Sequence, residues 1–147
     1  MKKNNLTHSI EYYFFLFSIC FFAVGALFIF LLETVVNNER YKAFIIAADT
    51  LGYNAMTFDV IYNIKEDRPI TLNEIIRNDI GNKIKSPFSN SNYCSLESFV
   101  RKENNKYYIT LICDNYVLKD YEFSSRNDID IYYLKDDKLK IIKTIKH

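Results

Sequence analysis

"LESFVRKENNKYYITLICDNYVLKDYEF", residues 96–123, marks the point where the periodicity of this chain changes. From Leu96 onward apolar side chains recur with a period of two, the spacing of a half-buried strand. The spacing predicts strands over residues 96–102, 106–113, 116–123, 129–135 and 138–145. Asn104-Asn105 and Asp136-Asp137 supply the turn residues between neighbours. Ile129, Ile131 and Tyr133 alternate with Asp130 and Tyr132, and Leu139, Ile141 and Ile145 alternate with Lys140. Such alternation describes an antiparallel meander with one face buried.

Upstream the period is helical. Tyr41, Phe44, Ile45, Ala48, Leu51, Ala55, Phe58 and Tyr62 recur at spacings of three and four, with Arg40, Lys42, Asp49 and Asp59 placed mostly elsewhere on the wheel. No proline interrupts residues 32–68, and Gly52 costs the helix about 1 kcal/mol relative to alanine or kinks it. One long helix over about residues 10–63 is expected. Thr71 followed by Glu74 makes a capping box, and Gly81 sits where a glycine would stop a helix over 72–80. "KSPFSNSN", residues 85–92, reads as a loop. A helix on one face of a meander is an α+β, two-layer arrangement.

Residues 12–32, "YYFFLFSICFFAVGALFIFLL", contain no charge. A helix of that length rises about 30 Å, the thickness of a bilayer's hydrocarbon core. The run is too long for the apolar region of a cleaved signal, and "LLETVV" offers no small-x-small cleavage site. The segment therefore reads as an uncleaved transmembrane helix, with the lipid bilayer as its first partner. Lys2 and Lys3 precede it while Glu33 and Glu39 follow, so the positive-inside rule places the N-terminus in the cytoplasm. The expected organisation is a cytoplasmic tail over 1–11, a span over 12–32 and one extracytoplasmic domain over 33–147, with the cell membrane as location. At 147 residues there is room for one domain, and a net charge of +1 argues against a nucleic-acid partner.

Outside the cytoplasm disulfides persist. If residues 102–105 form a four-residue loop, opposed positions on the hairpin sum to 207, and so do 94 and 113. A two-residue turn at Asn104-Asn105 shifts that sum to 209 and offsets the pair by one diagonal step. In the first register Cys94 and Cys113 face each other at disulfide distance, and closing a loop of about 20 residues contributes roughly 3 kcal/mol. The alternative is two free cysteines. Neither a zinc site nor a Cys–His nucleophile has its partners, since the histidines are His8 and the terminal His147. Cys20 reads as a small apolar filler within the span.

No Gly-rich phosphate loop, HExxH, GxSxG or CxxC is present. Asp128, Asp130, Asp136 and Asp137 read as solvated turn and strand residues, without the glycine spacing of an EF-hand calcium loop. "KLKIIKTIKH", residues 138–147, reads as an edge strand guarded by lysine, in preference to a lipid or nucleic-acid contact. Tyr107, Tyr108, Tyr132 and Tyr133 read as amphipathic filling of a small sheet. No metal or cofactor is expected, and no enzyme.

"ITLNEIIRNDIGNKIKSPFSNSNYC" (residues 70–94) followed by "FVRKENNKYYITLICDNY" (residues 99–116) resembles the C-terminal halves of pilin-like proteins of Gram-positive bacteria. There a short helix leads to a loop, a first cysteine, a hairpin and a second cysteine. Together with a membrane helix that continues as an amphipathic one, this is similar to the type IV pilin and pseudopilin plan. The resemblance implies a non-enzymatic subunit of a pilus, secretion or DNA-uptake filament, with other pilin-like subunits as partners. It also implies that Glu11 neutralises a neighbour's N-terminus during assembly. "NNLTHSIEYY", residues 4–13, departs from the family's processing site: Thr7, Ile10 and Glu11 echo it, but the glycine is absent and one residue is extra. The alternative expectation is a membrane-tethered extracellular binding module that does not polymerise.

Overall fold

The computed structural model describes residues 4–66 and 68–146, with side chains from Tyr12 onward. The element order is α1 (Asn4–Tyr62), β1 (Ile70–Thr71), α2 (Leu72–Arg77), β2 (Phe99–Glu103), β3 (Lys106–Cys113), β4 (Tyr116–Glu122), β5 (Ile129–Lys135) and β6 (Lys138–Ile145). The six strands form one antiparallel sheet in the order β1-β2-β3-β4-β5-β6. The architecture is α+β, a long N-terminal helix packed on a meander. The chain divides into two compact units, residues 1–39 and 40–147.

The described residues of the first unit, 4–39, are helical. Residues 12–32 are apolar on every side and almost wholly exposed, with none of the unit's described side chains covering them. Ser18 and Thr34 turn their hydroxyls back onto the carbonyl oxygens of Phe14 and Phe30, each at 2.9 Å. These two hydroxyls are thus satisfied inside the helix, which suits an apolar surrounding. This stretch is long and apolar enough to cross a membrane.

In the second unit the expected stripe is the buried one. Phe44, Ala48, Leu51, Ala55 and Phe58 are buried with Ile109, Leu111, Leu118 and Ile131 of the sheet. Each large side chain in that layer contributes about 1.5–3 kcal/mol by leaving water. α1 runs through Gly52 without interruption. A Cβ at Gly52 would lie 2.6 Å from Phe123 Cδ2 and 2.9 Å from Ile109 Cδ1, so the glycine lets the sheet approach the helix backbone closely.

One helical boundary corrects the sequence reading. α2 stops at Arg77 because Asp79, not Gly81, takes the left-handed conformation (φ 56°). The Asp79 and Ile80 amides donate to the Ile76 and Ile75 carbonyls, the two bonds of a Schellman cap. Gly81 instead admits α1: a Cβ there would meet Asn54 Nδ2 at 2.5 Å. The capping box forms as expected, with the Glu74 amide donating to Thr71 Oγ1 and the Thr71 amide to Glu74 Oε2.

The hairpin β2–β3 pairs Glu103 with Lys106 and Phe99 with Thr110, a two-residue turn whose opposed positions sum to 209. Asn104 and Asn105 both have positive φ (50° and 60°), as such a turn requires. β2 begins at Phe99 rather than at residue 96, because Leu96 and Glu97 form a turn closed by the Ser98 amide donating to the Ser95 carbonyl (3.1 Å). Below the turn the Ser95 amide donates to Ile112 O at 2.7 Å, and that pair sums to 207. Both registers are present, and the turn takes up the difference of two residues.

Candidate functional site

Cys94 and Cys113 are joined in a disulfide and buried. The Cys94 amide donates to Ile84 O at 2.8 Å, and Ser86 and Asn92 close the loop above with an amide-to-carbonyl bond of 3.0 Å. Asp114 holds the same loop from the sheet, accepting from the Ser86 hydroxyl and from Asn92 Nδ2. Phe88 at the loop's tip stacks on Tyr116 with ring centroids 3.6 Å apart and meets Phe44 of α1 edge-on. The disulfide therefore clamps the 85–92 loop over one end of the helix–sheet core. Its sulfurs have no access to a partner thiol, which makes it a staple.

Two carboxylates of α1 correct the helical-wheel reading. Asp49 and Asp59 point toward the sheet. Asp49 Oδ1 accepts from the Tyr121 hydroxyl at 2.9 Å. Asp59 Oδ2 accepts from Lys102 Nζ and from the Tyr107 hydroxyl, both at 2.7 Å, and its Oδ1 accepts from the Ile64 amide at 2.9 Å. Burial pushes the Asp59 carboxyl up, but its hydrogen bonds to Lys102, Tyr107 and Ile64, helped by the Lys102 charge, outweigh that and hold it below its ordinary value. Burial and the bond to Asp59 push the Tyr107 phenol up to about 12. Burial and Asp49 raise that of Tyr121 as well. These groups lock helix to sheet, and of them Tyr121 also lines a cleft between β4 and β5.

With both acids turned inward, the opposite face of α1 in this unit is uncharged from Ala43 to Ile61. Ile46 is 65% exposed, Tyr53 56% and Val60 80%, at intervals of seven residues on one side of the helix. The two hydroxyls beside them are satisfied locally: Thr50 donates to Ile46 O and Thr57 to Tyr53 O. The helix thus carries two apolar faces, one buried on its own sheet and one largely exposed, where only the Tyr53 ring among these three has a ring contact, edge-on to Phe123 with centroids 4.8 Å apart. Apolar periodicity shows the first. The second becomes visible only when Asp49 and Asp59 are known to point away from it.

The remaining sequence candidates separate. The side chains of Glu11 and His8, and all of His147, lie outside the described residues. Cys20 is a free, exposed cysteine within the apolar stretch. Asp128 and Asp130 line a polar cleft of about 230 Å³ where β4 and β5 diverge beyond the Leu118–Ile131 pair. Asp130 there accepts from the Thr144 hydroxyl at 2.6 Å. Asp136 and Asp137 form the β5–β6 turn with positive φ. Among the described residues no group of three or more His, Cys, Asp or Glu side chains is arranged to hold a metal ion.

Comparison with known proteins gives no match to this chain, whether among family models, curated proteins or solved structures.

Proposed function

We propose that this chain is a single-pass membrane protein of pilin-like plan that works by helix packing and catalyses no reaction. Residues 12–32 lie in the bilayer, the N-terminus faces the cytoplasm, and the second unit stands outside the cell. Its role is that of a minor subunit of a pilus, secretion or DNA-uptake filament. The observation that carries this reading is the uncharged, largely exposed apolar face of α1 at Ile46, Tyr53 and Val60. A soluble domain with a free surface helix places its charges on that side. Here the nearby acids are spent on the sheet and the threonines on their own backbone, so the face is made for another apolar surface. A helix that leaves the membrane apolar and stays apolar on its outer side is suited to pack along similar helices.

Cysteine cross-linking in native membranes tests this. In a Cys20→Ser background, Ile46→Cys and Val60→Cys should give cross-linked products between copies, or between a copy and a pilin-like subunit, under mild oxidation. Lys119→Cys, on the sheet, should give none. Mass spectrometry of the N-terminus separates the two roles. A processed or methylated N-terminus indicates a filament subunit, whereas an intact one without cross-links indicates a tethered module that does not polymerise.

A further inference from the structure

A second interaction surface lies at the far edge of the sheet, independent of the helix. β6 is the last strand in the order, eight residues long, with β5 on one side and, among the described residues, no strand on the other. The opposite edge, β1, has only two residues. Every second backbone amide and carbonyl of an edge strand points away from its neighbour and is free to pair.

The two faces of this edge differ in chemistry. Leu139 pairs with Leu134 and Ile141 with Tyr132, so these four share the face turned away from Ile129 and Ile131 of the core. Leu139 is 44% exposed and Ile141 49%. This overturns the expectation that they face the core. The phase is opposite as far as the bulge at Ile142; beyond it Ile145 pairs with Ile129 and packs against the core as expected. The other face carries Lys138, opposite Lys135, and Lys140, opposite Tyr133, with Lys143 further along opposite Ile131. Residues 138–146 hold four lysines and no carboxylate. Lysines and the bulge at Ile142 deter indiscriminate edge pairing. A guard alone, however, has no use for an exposed leucine and isoleucine in the same strand.

We propose that β6 receives, as a seventh strand, an extended segment of a partner protein in which acidic and apolar residues alternate. Its carboxylates lie beside Lys138 and Lys140, its apolar side chains beside Leu139 and Ile141, and its backbone takes the free edge groups. Charge selects against the other occupants. A second β6 would set lysines against lysines, which directly opposed strand positions disfavour. A bilayer surface meets one face of a sheet, whereas the lysines and the apolar pair lie on opposite faces.

The test uses the full chain in detergent micelles and a fluorescein-labelled ten-residue peptide alternating glutamate with valine. Anisotropy should show saturable binding that weakens as salt rises, with little binding of the peptide in which lysine replaces glutamate. Amide exchange should slow in β6 on peptide addition. The double variant Lys138→Glu/Lys140→Glu should lose about tenfold or more in affinity for the acidic peptide and gain affinity for the basic one, with an unchanged melting temperature. Equal binding of both peptides, or of neither, overturns the proposal. So does protection of β6 by phosphatidylglycerol nanodiscs without peptide, which makes the edge a lipid contact. A disulfide-linked dimer through Leu139→Cys overturns it in favour of self-pairing.

Discussion

Asp59 of α1 and Lys102 of β2 lie 2.7 Å apart, 43 positions distant in sequence, and the carboxylate also caps the end of its own helix. Helix termination and helix–sheet docking thus depend on one side chain. Asp59→Ala should destabilise the domain by about 2–3 kcal/mol, somewhat less than a fully buried pair because Lys102 retains some contact with water. Lys102→Met, which leaves the carboxylate its Tyr107 and Ile64 bonds, should cost less. The Asp59 carboxyl is held below its ordinary value of 3.8, so its contribution is complete above that pH and lost as pH falls through the folded value. Tyr107 has the opposite sign. Its folded value of about 12 exceeds 10.0, so stability declines between pH 10 and 12. Thermal melts of wild type and Tyr107→Phe across both ranges check this: the variant should lose the alkaline decline attributable to Tyr107 and, with its bond to Asp59 gone, show a smaller acid decline.

Reduction of the Cys94–Cys113 bond, or Cys94→Ser, should lower the melting temperature by on the order of 10 °C. A loop of 19 positions is closed, worth about 3 kcal/mol through the unfolded state. Calorimetry with and without reductant measures it, and an unchanged midpoint would remove the bond from the stability account.

Gly52→Ala should destabilise, although alanine is the better helix former by about 1 kcal/mol. The new methyl would press on the Phe123 ring at 2.6 Å and on Ile109 Cδ1 at 2.9 Å, and overpacking of this kind costs about 1–3 kcal/mol. Urea denaturation should show a net loss near 1 kcal/mol, larger for Gly52→Val.

Ile46→Asp and Val60→Asp should leave the folded unit's melting temperature nearly unchanged, because both side chains are exposed. They should abolish the cross-links through the α1 outer face. Loss of cross-links together with a large drop in melting temperature would show that this face supports the fold itself.

Much of the fold can be read in the sequence because it rests on short-range pattern. The bounds of β3, β5 and β6 coincide with the alternating runs, and Thr71 with Glu74 announces α2. What cannot be read rests on long-range pairing. β1 is two residues long and has no periodicity of its own, since Ile70 and Thr71 become a strand only against Val100 and Phe99. Asp49 and Asp59 look like solvent residues until Tyr121, Lys102 and Tyr107 arrive from the sheet. Alternation in β6 shows that two faces differ but not which one meets the core. The disulfide was legible in its pairing, though the hairpin around it required both registers.

The turn at Ser95–Ser98 has a consequence for how this hairpin tolerates change. The cysteines are placed by the base of the sheet and the ladder by the Asn104-Asn105 tip, with the turn as a length buffer between them. Tip and staple are therefore independently editable. Residues inserted between Asn104 and Asn105 extend an exposed loop without moving either sulfur, which makes this tip the natural place to graft an epitope or a label.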